Sequence, residues 1–147
     1  MPHAGLMDEE SLGPVEGPLQ RARLHIRGGR RRLRQGKISA GIVTLYDALL
    51  AAMQAYAASQ ERTRLNIRAG EDINNDKVLY SVLIRSGILD GKLDFYEFDR
   101  LTEKALNEEI PGYDYHALLA GIESVMTQLG VMPFDETRLP PEDPKTF

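Results

Sequence analysis

Three histidines are the first residues to weigh, because the 147-residue chain contains no cysteine. Thiolate nucleophiles, disulfides and sulfur-ligated zinc are thereby excluded. His3 lies in the leader, and His25 stands among arginines, whose charge would repel a metal cation. His116 follows Tyr113, Asp114 and Tyr115, and these four form the one polar cluster that could make a ligand or enzymatic site. Asp114 and His116 are two apart, which on a helix puts them on different faces, so they are not expected to pair. General acid–base chemistry needs partners within hydrogen-bond reach, and the sequence nominates none. We therefore expect no catalytic residue, no metal and no cofactor, with His116 a surface or interface side chain.

Residues 90–98, DGKLDFYEF, match the second half of a calcium-binding loop. Asp90 would take the fifth position, Gly91 the sharp turn, Leu93 the apolar position and Glu97 the bidentate ligand. The first two ligand positions fall on Ser86 and Ile88, which offer no carboxylate. A tight turn followed by an acid-capped helix is the expected structure. Arg27-Gly28-Gly29-Arg30 lacks the preceding strand and the following Lys-Ser/Thr of a phosphate-binding loop.

Charge is strongly segregated. Residues 21–37 carry Arg21, Arg23, Arg27, Arg30, Arg31, Arg32, Arg34 and Lys37 and no acid, leaving ten basic against 22 acidic groups elsewhere. Arg23, Arg27, Arg30, Arg31, Arg32 and Arg34 form a candidate site for nucleic acid or another anion, through phosphate contacts and counterion release. No aromatic residue interleaves with them for base stacking. The competing reading pairs the stripe with acids of this chain, on the fourth and fifth helices or the leader.

The elements that must position these residues are helical. Residues 1–17 read as a flexible acidic leader, and Pro18 suits the first turn of a helix. Residues 19–35 give a thin apolar stripe, Ala22, Ile26, Gly29 and Leu33, in a basic helix that Gly28-Gly29 weakens or breaks. Gly36 marks a turn, with Ser39 as N-cap of a second helix over 39–59 that is apolar on nearly every side and therefore must be covered by others. Further helices are expected over 75–85, 94–109 and 113–129, ended by Gly87, Pro111-Gly112 and Gly130. The last segment, 131–147, has four prolines and no periodicity, and is read as an extended tail. The sum is an all-α, up-and-down bundle of four to five helices in a domain over 18–130. No uninterrupted apolar run reaches the ~18 residues of a membrane span, and the acidic start lacks a signal-peptide core. A cytoplasmic location is expected.

Residues 33–57 carry Gly36 in a turn, then Ala40, Tyr46, Ala48, Leu49 and Leu50 along the helix. This region resembles the signature of HEPN-like helical domains. The resemblance implies an up-and-down bundle, frequent dimerisation, and kinship with nucleotidyltransferase-associated helical subunits and toxin RNases. The RNase branch needs an arginine a short spacer before a histidine. Those positions hold Glu109, Ile110 and Pro111 before His116, and Pro18, Leu19 and Gln20 before His25, so ribonuclease activity is not carried over. The expected function is a non-catalytic, homodimeric protein-interaction module with a protein partner such as a nucleotidyltransferase. The alternatives are nucleic-acid binding through 21–37 and a ligand or enzymatic site around His116.

Overall fold

The computed structural model describes residues 9–146. Five helices carry the fold: α1 (Glu9–Arg34), α2 (Ile38–Ala58), α3 (Asp76–Arg85), α4 (Phe95–Asn107) and α5 (His116–Gln128). No strand occurs among the described residues, and the architecture is an all-α bundle. α2 is the hub, touching each of the other four helices, with its broadest interface on α1. By length and composition α2 could cross a bilayer. It is mostly buried among its neighbours, as an all-round apolar core helix is.

α1 starts within the segment read as a leader, at Glu9 rather than Pro18, and residues 1–8 lie outside the described part. It is interrupted at Gly13, where φ is 88° and ψ −179°, so Pro14 opens the regular helix and Pro18 sits one turn further in. Gly28-Gly29 does not break it. The expected stripe of Ala22, Ile26, Gly29 and Leu33 is buried throughout.

The reason lies in how α1 crosses α2. A Cβ on Gly29 would lie 2.7 Å from Cδ2 of Leu45, and one on Gly41 would lie 2.6 Å from Cδ2 of Leu33. Each helix thus offers a glycine notch that the other's leucine fills, and both leucines are almost wholly buried. Filling such a notch is worth about 1.5–3 kcal/mol per leucine, which outweighs the ~1 kcal/mol that glycine costs in a helix.

The turn between the two helices is at Gly36, with φ 79°. The N-cap of α2 is Lys37, without a side-chain cap. Ser39, expected in that role, sits inside the helix, and its hydroxyl donates to the Glu108 carbonyl at 2.7 Å, tying α2 to the end of α4. An aromatic cluster joins three helices. Tyr46 packs edge-on against Phe98 at 5.2 Å, and Tyr80 stacks on Phe95 at 4.8 Å. The Tyr46 hydroxyl donates to Asp99 at 2.6 Å and that of Tyr80 to the Leu93 carbonyl at 2.6 Å.

The remaining elements are close to expectation. Asn75 caps α3, and Asp94 caps α4 by accepting from the Glu97 N–H at 3.0 Å. The half-calcium loop is a turn closed on itself, with the Lys92 N–H donating to Asp90 at 3.0 Å. Arg85 pins the connection before α3 by pairing with Glu71 and donating to the Asn66 carbonyl at 3.0 Å. After α5 the chain turns at Gly130, passes a cis Met132–Pro133 peptide and runs back over α1 with short helical turns at Glu136–Arg138 and Pro144–Thr146.

Adjacent glycines should therefore respond oppositely to alanine. Gly29→Ala and Gly41→Ala are expected to destabilise by about 1–3 kcal/mol through overpacking, despite the better helix propensity. Gly28→Ala meets the far end of the flexible Arg32 side chain and, at an ordinary contact distance of 3.9 Å, Thr44 Cγ2, and should gain up to ~1 kcal/mol. Urea midpoints that move alike for Gly28→Ala and Gly29→Ala would refute the notch.

Candidate interaction face on the arginine helix

From Arg21 to Arg32 the basic run of α1 is engaged by partners within the chain. Near the start, Arg21 grips Asp47 of α2 with both arms, at 2.8 and 2.7 Å. His25, 1% exposed, places Nδ1 2.5 Å from Oδ2 of the same carboxylate, the oxygen that Arg21 Nε also reaches. Burial pushes the Asp47 carboxyl up, but the hydrogen bonds from His25 and Arg21 outweigh it and bring it down to about 2. Asp47 is the one charged residue of the largely apolar α2. It is an ion-pair anchor between the two largest helices.

Further along, the partners come from the C-terminal segment. Arg23 donates to the Val131 carbonyl at 3.4 Å and lies over the Phe134 ring at 5.7 Å. Arg30 bridges Glu123 of α5 at 3.0 Å and Glu136 at 3.3 Å. Arg27 and Arg31 converge on one carboxylate, Glu142, with Nε–O distances of 3.5 and 2.5 Å. Arg32 folds back onto the Gly28 carbonyl at 3.1 Å, and burial together with the neighbouring Arg31 charge lowers its pKa. Arg34 and Lys37, exposed at the end of the run, make no ion pair among the described residues.

Among the described residues, the acids that pair with the stripe come from α2, α5 and the tail. Among the described residues no ion pair links the stripe to α4, one of the helices expected to supply it. Glu136, Glu142 and Phe134 were not singled out from sequence, because a proline-rich stretch without periodicity gives no sign of where it lies. A usable signal was the clustering of Asp135, Glu136, Glu142 and Asp143 in a chain whose basic run has no acid of its own.

The second candidate cluster is corrected in one respect. Asp114 and His116 do pair, at 2.7 Å from Nδ1 to Oδ1. α5 begins only at His116, so Asp114 lies in the preceding turn, where its side chain also accepts the His116 N–H at 3.1 Å. That hydrogen bonding lowers the Asp114 carboxyl pKa. Tyr115 stacks on His116 at 4.5 Å. Tyr113 is half-buried, and burial followed by the nearby Asp114 charge raises its phenol.

A cleft of about 600 Å³ brings the two clusters together, with Arg30 and Arg34 on one side, Tyr115 and His116 on another, and Met132, Phe134 and Glu136 from the tail closing it. The aromatic surface missing from the basic run in sequence is supplied across this cleft by Tyr115 and His116 at the entry to α5 and by Phe134 of the tail. Tyr113 and Asp114 are not among its lining residues. The His116 side chain is 78% exposed, and the cleft lining holds no serine, threonine or cysteine for it to activate. The third histidine, His3, lies outside the described residues. Among those residues no group of three or more His, Asp or Glu side chains is arranged to hold a metal ion.

No protein-family model matches the chain, and neither the curated proteins nor the solved structures contain a significant match to it.

The Asp47 anchor makes an acid limb predictable. A carboxyl held at about 2 in the fold, against about 3.9 when unfolded, contributes stability that is complete above the unfolded value and is lost as pH falls through the folded one. With a third of Asp47 facing solvent, screening limits the gain to about 1–2 kcal/mol. Asp47→Asn should remove that part of the stability change between roughly pH 4 and pH 2. Urea titrations over that range check it, and an unchanged slope would contradict the assignment.

Proposed function

We propose that this chain is a non-catalytic helical-bundle module that acts by binding protein, as a homodimer in the first instance and in the manner of HEPN-like subunits. The observation that carries the reading is the internal use of the arginine stripe. Arg21, Arg27, Arg30 and Arg31 are held by carboxylates of the chain itself, so the feature that most suggested nucleic acid acts first as structure. The exposed dyad Asp114–His116, without a nucleophile beside it, favours a binding role over an enzymatic one. Apolar surface is also available, since Tyr96 is 57% and Leu106 66% exposed on α4. A nucleotidyltransferase, suggested by the HEPN resemblance, is the first protein partner to try, in the cytoplasm that the cysteine-free composition suits.

Nucleic-acid binding is the second reading, favoured by one geometric fact: Arg34 stands beside the Tyr115–His116 stack in the same cleft. A phosphate on Arg34 and a base on that stack would be the expected mode. Replacing Arg30 and Arg31 would confuse this test, because both hold the tail. Arg34→Gln with Lys37→Gln is the cleaner change.

Sedimentation velocity at micromolar concentration should show a dimer. A strict monomer that also fails to bind a nucleotidyltransferase would sink the first reading. For the second, anisotropy with a labelled single strand should show binding that weakens steeply with salt and is lost in the Arg34→Gln/Lys37→Gln variant. Binding that survives the double change is not through this cleft.

A further inference from the structure

We propose that the arginine face of α1 is a receptor groove for an extended acidic segment of a protein partner, and that residues 131–146 fill it in cis as a stand-in. This deepens the protein-binding reading and rests on it for its biological sense.

The groove is built for carboxylates. Arg27 and Arg31 converge on Glu142, Arg31 is almost wholly buried, and Arg30 takes Glu136. Between those two acids the segment buries Leu139 and passes through Pro140-Pro141, whose fixed φ favours an extended chain. A partner segment therefore needs two acids separated by an apolar residue and proline. A phosphodiester backbone would leave the seats of Leu139 and Phe134 empty, which is why we favour a polypeptide.

The occupant is held in a replaceable way. Past Met132, no backbone–backbone hydrogen bond joins the described part of the segment to the helices. The turn bonds of Arg138 and Leu139 stay within the segment, at 3.1 Å each. Its attachment is by side chains. The groove is also wider than its occupant, since Pro133 and Phe134 are flanked by a cleft of about 600 Å³ on the α5 side and another of about 320 Å³ beside Gln20 and Arg23. Arg34 and Lys37, exposed where the groove ends, would steer an acidic chain toward it.

A tethered segment competes at a millimolar-order effective concentration, so a partner's apparent affinity is reduced by the fraction of time the groove is closed. The probe is a labelled peptide with the sequence of residues 131–147, added to the full chain. Glu136→Gln with Glu142→Gln in the protein should weaken the stand-in and tighten peptide binding about tenfold or more. Arg27→Gln with Arg31→Gln should abolish it, and a peptide carrying glutamine at both glutamates should not bind. No binding to a folded Glu136→Gln/Glu142→Gln protein, or equal binding of the glutamine peptide, overturns the proposal.

Should that variant fail to fold, the wild-type background decides. The chain has no cysteine, so Lys145→Cys takes a single dye, and excess acidic peptide should release the segment and lower the dye's anisotropy. An unmoved signal, or release by a polynucleotide but not by the peptide, counts against an acidic protein partner. A protein that dimerises yet takes no peptide would remove this inference and leave the protein-binding reading standing.

Discussion

Everything in this bundle depends on how closely α1 and α2 approach. The reciprocal seating of Leu45 on Gly29 and Leu33 on Gly41 brings the two backbones together, and only then can Arg21 and His25 reach Asp47. A larger residue at either glycine would lift the helices apart over the full length of the hairpin. The apolar contact and the polar one are therefore a single device. The glycine pair sets the distance, and the Asp47 cluster fixes the axial register, since a charge sunk beside the core is tolerated only opposite its partners.

The same logic governs the rest of α1. Packing one stripe of the helix onto α2 turns its arginines toward a surface that is partly closed by α5 and by the returning tail. A guanidinium half-removed from water needs an acceptor, and the tail supplies acids where α2 does not. Glu142 answers two arginines at once, and Glu136 shares Arg30 with Glu123. The segment that follows the last helix is thus part of the electrostatic closure of the first.

What was legible in the sequence follows from the range of the interactions. Helical periodicity, glycine stops and Asn or Asp caps are local, and they placed α2 to α5 to within a few residues, along with the inward stripe of α1. Two local rules failed where a distant contact prevailed. Ser39 gave up the cap to reach Glu108 in space, and Gly28-Gly29 kept a helix because leucines fill the gap at Gly29. Asp114 and His116 were assigned to a helix that starts later, and a turn lets them meet. The tail's path was not legible, because it is set by side-chain pairs between residues more than a hundred positions apart, with no backbone pattern to announce them.

The spacing of these contacts along the chain also orders the assembly. α1 and α2 are joined by three residues, 35–37, so the glycine-weakened helix finds its support at almost no loop-closure entropy. The tail must close a separation of more than 100 residues to reach the arginines, and local contacts generally form ahead of such distant ones. The α1–α2 hairpin holds Arg21 by itself through Asp47, whereas Arg27 and Arg31 find their carboxylate only when the distant tail is laid across them.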